Sequence, residues 1–356
     1  MRIAQIAPLV EAVPPKLYGG TERVVSYITE ALIELGHDVT LFASGDSVTK
    51  AELVPVWPKA LRLDSAVHDN IAPVFMMLEQ ILRRAKEFDV IHLHLDYFSY
   101  PLLRHLEVPA ITTLHGPLGL KELQALYRYY SDIPVVSISN SQREPLPYAN
   151  YVATVYHGLP KDLLKLGNGS GGYLAFLGRI SPEKAPDAAI RMAVEAGLPL
   201  KIAAKVDVID EGYFEAEIKP LLDHPNIEFI GEIGEGEKGE FLGNALGLLF
   251  PTGWKEPFGL VMIEAMACGT PVIAYPQGSV REVLEDGVTG LFVANEHEGA
   301  EAARRLRQLD RGRIRAEFER RFTARRMAQD YVELYRKRVK RREPVAVSRW
   351  GAVRGG

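Results

Sequence analysis

The chain reads as an α/β protein made of two doubly wound domains that face each other across a cleft. Three observations predict this. Apolar, β-branched runs alternate with helical patterns along nearly the whole length. The runs are continuously hydrophobic, which marks strands buried on both faces and hence mostly parallel sheets covered by helices. The rhythm breaks once, at Gly167-Asn168-Gly169-Ser170-Gly171-Gly172, and then restarts.

Before the break the expected strands are Ile3–Ala7, Val39–Ala43, Val90–Leu95, Ala110–Leu114, Val135–Ser139 and Ala153–Tyr156. Amphipathic stretches Thr21–Leu35, Ala72–Lys86 and Leu120–Tyr130 lie between them. After it come Tyr173–Leu177, Leu200–Lys205, Ile227–Ile230, Leu246–Phe250, Pro271–Ala274 and Leu291–Val293. The glycine-rich run has the most flexible composition in the chain and reads as a linker. Residues 1–165 are therefore expected to form one domain and 166–322 the second. A last helical pattern, about 323–341, follows the second sheet, and 343–356 look frayed. In open parallel sheets ligands bind beyond the carboxyl ends of the strands, so the chemistry belongs in loops from both halves.

With 356 residues, 47% hydrophobic and 25% charged, the chain has material for two cores. That composition excludes collagen-like, low-complexity and largely disordered classes. The single cysteine, Cys268, excludes an internal disulfide and a cysteine-cluster metal site, and suits a reducing compartment. No apolar run reaches about 18 residues, and MRIAQIAP is broken by proline too soon for a signal peptide. A cytoplasmic enzyme is the expectation. The charge is uneven: Glu301 to Arg342 holds sixteen Lys/Arg against six Asp/Glu, a net +10, which leaves −14 for the remainder of a chain whose total is −4. Such a segment suits either a solvated arginine-rich helix or peripheral contact with an anionic membrane at its inner face. It lacks aromatic interleaving of the kind single-strand binding uses, so nucleic acid is not expected.

Four motifs carry chemistry. Gly19-Gly20-Thr21-Glu22 follows the first strand and opens a helix, where free N–H groups and the dipole favour a phosphate. The same residues alone would also serve as a turn and cap. The stretch is not GxGxxG, and no GxxxxGK[ST] occurs anywhere in the chain. Arg179 and Lys184, after the first strand of the second half, are two cations aimed at one point, as a diphosphate requires. A solvated Glu183/Lys184 turn is the plainer alternative. Glu256 lies in a loop with Pro257 and Gly259, and Glu264 lies on the following helix, Leu260–Cys268. Amides at Phe258, Gly259 and Leu260 are donors at that helix start. Glu264, among Val261, Ile263 and Met266, needs hydrogen-bonding partners, and sugar or ribose hydroxyls qualify. His92 and His94 alternate on one strand with no third metal ligand evident. His115 ends the next strand, at the edge where the cleft belongs.

Together these residues resemble the family 4 retaining glycosyltransferases, which have the GT-B fold of two Rossmann-like domains. Glu256 to Glu264, with seven residues between, matches that family's E-x7-E motif, and Ala265 to Ala274 and Glu285 to Gly290 also fit. The resemblance implies roles. Gly19 and Gly20 would lie against the donor diphosphate, and Arg179 and Lys184 would neutralise it as it leaves. Glu256 would hold hydroxyls of the transferred sugar, and Glu264 the ribose hydroxyls. Amides from Phe258 to Leu260 would bond sugar or phosphate, Ile233 would lie near the base, and His115 near the sugar's C6 side and anomeric region. Tyr18, Thr21 and His94 would fall on the acceptor side. It implies a hexose moved with retention from a nucleoside-diphosphate sugar, UDP or GDP, to a hydroxyl of a small-molecule, glycan or lipid-linked acceptor. No metal and no further cofactor are implied. Ala185 departs from the family, which often has glycine after that lysine. The alternatives are a GT-B sugar-nucleotide epimerase, which would need no acceptor, and a non-catalytic nucleotide-sugar-binding protein.

Overall fold

The computed structural model describes residues 1–16 and 19–340; Tyr18 and the 343–356 tail lie outside these. Two parallel sheets form. The first joins β1 (Arg2–Ile6), β2 (Asp38–Ser44), β3 (Glu52–Trp57), β4 (Val90–Leu93), β5 (Ala110–Thr113), β6 (Val135–Ser137) and β7 (Tyr151–Thr154) in the order β3-β2-β1-β4-β5-β6-β7. The second joins β8 (Leu174–Ile180), β9 (Leu200–Val206), β10 (Ile227–Gly231), β11 (Gly247–Phe250), β12 (Val272–Ala274) and β13 (Gly290–Phe292) in the order β10-β9-β8-β11-β12-β13. The central runs behave as strands buried on both faces, with β4 and β11 buried at every position, while the edge strands β7, β10 and β13 are partly exposed.

Two strands depart from the sequence reading. β3 was not expected, because it is the edge strand, is mostly half-exposed, and has its apolar run Leu53–Trp57 interrupted by Pro55. β7 starts two residues before the expected Ala153.

The first helix, Gly20–Glu34, buries Val24, Val25, Ile28, Ala31 and Leu32, the spacing of one helical face. Burying each of the larger side chains stabilises the fold by about 1.5–3 kcal/mol. Against this helix packs the last one, Ala324–Lys340, which returns from the second sheet to the first. The chain crosses between the sheets twice, side by side: Leu159 bridges Thr323, and the Arg326 guanidinium donates to the carbonyls of Tyr156 and His157 at 2.7 and 2.9 Å.

The glycine-rich linker is not loose. A Cβ on Gly167 would stand 2.1 Å from the Gly243 carbonyl oxygen, so glycine there permits backbone-to-backbone packing. Arg311 clasps the same strip, donating to the carbonyls of Gly167, Ala245, Gly243 and Cys268 and to the Thr270 hydroxyl. The composition signals close approach here, not flexibility.

The basic segment is partly spent in the same way. Arg315 donates to the carbonyls of Leu164, Ala267 and Lys161, and Arg321 to those of Val283 and Glu282. With Arg311 and Arg326, these arginines staple the crossings instead of presenting a free basic face. Among the described residues no helix is long and apolar enough to cross a membrane.

Candidate active site

The strand order reverses between β1 and β4 in the first sheet and between β8 and β11 in the second. Ligands bind at such switch points. The loops leaving these strands meet in one cleft of about 400 Å³. Gly19, Gly20, Thr21, Arg23, His115 and His157 line it from the first half. Arg179, Lys184, Lys205, Ile233, Lys238, Glu256, Phe258, Gly259, Leu260 and Glu264 line it from the second. The structure thus brings together the expected site residues, with two exceptions. Tyr18 lies outside the described residues. His94, expected on the acceptor side of the cleft, stands one residue past β4 and is instead buried behind His115, because its ring bonds inward to Gln5.

On the second-half wall every cation sits against a carboxylate. β8 ends in a tight turn, Pro182–Lys184, followed by Ala185 at φ 50, a left-handed conformation for a residue with a Cβ. That turn brings Lys184 across to Glu256. The Lys184 ammonium bonds Glu256 Oε2, which also accepts from Trp254 Nε1 at 2.9 Å, and the lysine lies 5.4 Å from the centre of the Trp254 ring. Arg179 pairs with Glu183 and lies 3.5 Å from Asp210 and 3.8 Å from Asp207. Lys205 pairs with Asp207 at 2.5 Å.

Glu264 is buried on the short helix Leu260–Ala267, with Ile263 and Met266 beside it in the core. Its partner is Lys238, at 2.6 Å. That pairing offsets the cost of burying a carboxylate. Gly259 starts the helix at φ 77, and a Cβ there would also meet Met262 at 2.8 Å, so the loop that carries Glu256 can turn here only with glycine. Across the cleft, Gly19 lies against Pro15 and Glu11 so closely that a Cβ would stand 2.7 Å from Pro15 Cβ. Arg23 and the Tyr27 hydroxyl, both on the first helix, bind Glu235 of the second half.

The first-half wall holds Arg23, paired with Glu235, and beside it a cluster of uncharged histidines. His115 Nε2 lies 2.8 Å from His94 Nδ1, and His94 Nε2 lies 2.9 Å from Gln5 Oε1. His115 stacks on His157, with ring centres 5.3 Å apart, and His157 packs edge-on against Phe258. Burial holds His92, His94 and His157 well below the ordinary histidine value and pushes His115 down to about 3. Asp96, just beyond β4, sits at φ 47 and accepts the His115 backbone N–H; burial raises its carboxyl to about 6.

Sequence reasoning missed Lys238, Trp254, Arg23, Lys205, His157 and Gln5. Trp254 stands two residues before Glu256, within reach of a local reading. Lys238, in the polar stretch Glu235-Gly-Glu-Lys-Gly-Glu240, carries no signal that it meets Glu264.

Solved structures share this architecture. AviGT4, a glycosyltransferase involved in avilamycin A biosynthesis, superposes with a TM-score of 0.73 at 22% identity, covering 96% of this chain and 98% of that one. Anabaena Alr3699/HepE, solved in complex with UDP and glucose, superposes with a TM-score of 0.71 at 17% identity, covering 94% and 99%. The fold and its cleft therefore define the GT-B class.

The family model for glycosyl transferases group 1 matches residues 166–325, and that for glycosyltransferase family 4 matches residues 18–145. The phosphatidyl-myo-inositol mannosyltransferase of Mycolicibacterium smegmatis is 25% identical over 89% of this chain and 86% of its own length. A D-inositol 3-phosphate glycosyltransferase of Nocardia farcinica is 36% identical over 40% of this chain and 34% of its own. This chain belongs to the family 4, group 1 glycosyltransferases and is an enzyme of that class.

Proposed function

We propose that the enzyme moves a hexose from a nucleoside-diphosphate sugar to an acceptor hydroxyl, with retention at the anomeric carbon and without a metal ion. The observation that carries this reading is the charge arrangement of the second-half wall. Arg179 and Lys184 converge on the cleft opposite Gly19 and Gly20, while Glu256 and Glu264 face it from the neighbouring loop and helix.

In this reading the diphosphate lies between the Gly19-Gly20 backbone and the two cations. Glu264 accepts the ribose hydroxyls through the oxygen that Lys238 leaves open, and Ile233 lies beside the base. Glu256 accepts hydroxyls of the sugar. The bond from C1 to the leaving phosphate oxygen breaks as the bond from the acceptor oxygen forms on the same face. The acceptor's proton passes to the leaving phosphate. Negative charge grows on the diphosphate at that moment, and Arg179 and Lys184 are already fixed where it grows, which stabilises the transition state more than the ground state. They supply the positive charge a divalent ion would otherwise bring.

Relatives named for inositol-bearing acceptors support a polyol or sugar-like hydroxyl as the nucleophile. The neighbour solved with UDP and glucose supports a uridine donor. The test is turnover of UDP- and GDP-hexoses with inositol, inositol phosphate and phosphatidylinositol in the presence of EDTA, with the product anomer read by proton NMR. An α-product from an α-donor, formed in EDTA, is the expected result. An inverted product or strict dependence on added metal contradicts the mechanism.

A further inference from the structure

We propose that Gln5, near the end of β1, fixes the tautomer of His115 through His94, so that the His115 N–H is spent inward and its buried Nδ1, at the wall of the cleft, is left bare. The catalytic consequence rests on the transferase reading above; the tautomer itself does not.

The inference follows from donor and acceptor inventory. A glutamine amide has one end that only accepts and one that only donates. Gln5 is wholly buried, with Oε1 2.9 Å from His94 Nε2 and Nε2 3.2 Å from the Tyr335 hydroxyl. The accepting oxygen requires the hydrogen of His94 on Nε2. A neutral imidazole has a single N–H, so His94 Nδ1 must accept, and its partner at 2.8 Å, His115 Nε2, must donate. His115 then has no hydrogen left for Nδ1. That nitrogen finds no partner among the described residues, and the His115 ring lines the cleft.

The other end of the row closes consistently. Tyr335 receives from Gln5 and gives its hydrogen to His92 Nδ1 at 2.7 Å. His92 Nε2 then donates to Thr113 Oγ1 at 2.7 Å, and Thr113 to the Tyr331 hydroxyl at 2.8 Å. Turning the Gln5 amide over would reverse every hydrogen in the row and place an N–H on His115 Nδ1. Gln5 therefore sets the polarity, and the last helix, through Tyr331 and Tyr335, terminates the row. Burial keeps His92 and His94 neutral, which a single-hydrogen row requires. A bare ring nitrogen takes a hydrogen bond from a hydroxyl and has none to give a phosphate oxygen. Nδ1 is thus selective for a sugar or acceptor O–H.

The direct test is long-range proton–nitrogen NMR of histidine-labelled wild-type protein at neutral pH, with His115 assigned by His115→Asn. The expected pattern is the downfield shift of an unprotonated nitrogen at Nδ1 and the upfield shift of an N–H at Nε2. The reverse pattern overturns the proposal whatever the activity. Kinetics supply the second arm. Gln5→Leu and His94→Leu are expected to lower kcat about tenfold, the worth of one transition-state hydrogen bond, with donor KM nearly unchanged. His94→Gln, whose amide can accept from His115 and donate to Gln5, is expected to recover most of that loss. Wild-type kcat in both leucine variants overturns the positioning role. Should either leucine variant fail to fold, His94→Gln and the nitrogen pattern still decide. A wild-type protein with the expected nitrogen pattern but no transfer activity would sink the transferase reading and leave the tautomer standing.

Discussion

On the second-half wall of the cleft, Arg179, Lys184, Lys205 and Lys238 each sit against a carboxylate. On the first-half wall, His92, His94, His115 and His157 are held uncharged by burial. The contrast assigns the work. On the proposed reaction a leaving diphosphate changes charge, and ion pairs that can exchange partners suit the wall that would meet it. A hydroxyl changes little, so the wall that orients it is a neutral, hydrogen-bonded row with a fixed direction. The ion pairs also offset the cost of holding strong cations in the cleft, and on the proposed reaction Arg179 and Lys184 would exchange a carboxylate for the diphosphate.

The largest break in this comparison comes from deleting a cation that faces the diphosphate. Arg179→Ala and Lys184→Ala are each expected to lose at least about a hundredfold in kcat, the usual cost of one donor to a developing anion. Wild-type turnover in either purified variant would remove it from the mechanism. Next comes Lys238→Met, which leaves the Glu264 carboxylate buried without its partner. Denaturant unfolding should show a loss of about 3 kcal/mol. The double change Lys238→Met with Glu264→Leu should regain most of that stability yet bind nucleotide poorly, separating the fold's need for the pair from the ligand's need for Glu264.

The neutral wall is sharpened by pH. The four histidines have lower proton affinity folded than unfolded, so their stabilising contribution is present above the unfolded value near 6.5 and lost as pH falls through it toward the depressed folded values. Each contributes up to about 1.4 kcal/mol per pH unit in that window. Asp96, with its carboxyl raised to about 6, acts in the opposite sense: its effect grows as pH drops from about 6 to the unfolded aspartate range, so it offsets part of the fall there. The buried carboxyls of Glu11 and Glu22 are raised as well and share that sign. Calorimetry in two buffers at pH 6.5 should register net proton uptake on unfolding; net release would contradict an uncharged wall. The smallest effect is local. Ala185→Gly should stabilise by roughly 0.5 kcal/mol, relief of the left-handed Cβ being partly offset by glycine's entropy. A loss on denaturant unfolding would mean that the Pro182–Lys184 turn is not strained at Ala185.

Much of the frame was legible in the sequence because both-face burial leaves continuous apolar runs, as at Gly247–Phe250. Glu256 and Glu264 were legible because one loop and one helix carry both. What escaped was set by tertiary pairing. Gln5 and Tyr335 meet across 330 positions, and Lys238 reaches Glu264 from a helix with no apolar face to announce it. His94 stands just past β4, and its depth behind His115 is set by tertiary packing, since period-two alternation fixes a face and not a depth. The glycine run misled because glycine serves close packing as readily as flexibility.

The most direct test of the account is thermal unfolding of the wild-type protein with UDP-, GDP- and ADP-sugars, followed by diphosphate release for any that binds. A ligand at about a hundred times its Kd adds roughly 2.7 kcal/mol. The account predicts that one base class raises the Tm, that Glu264→Leu in the Lys238→Met background abolishes the rise, and that the bound donor slowly releases diphosphate. A folded protein whose Tm moves with none of them would contradict the reading of the charged wall as a nucleotide-sugar site.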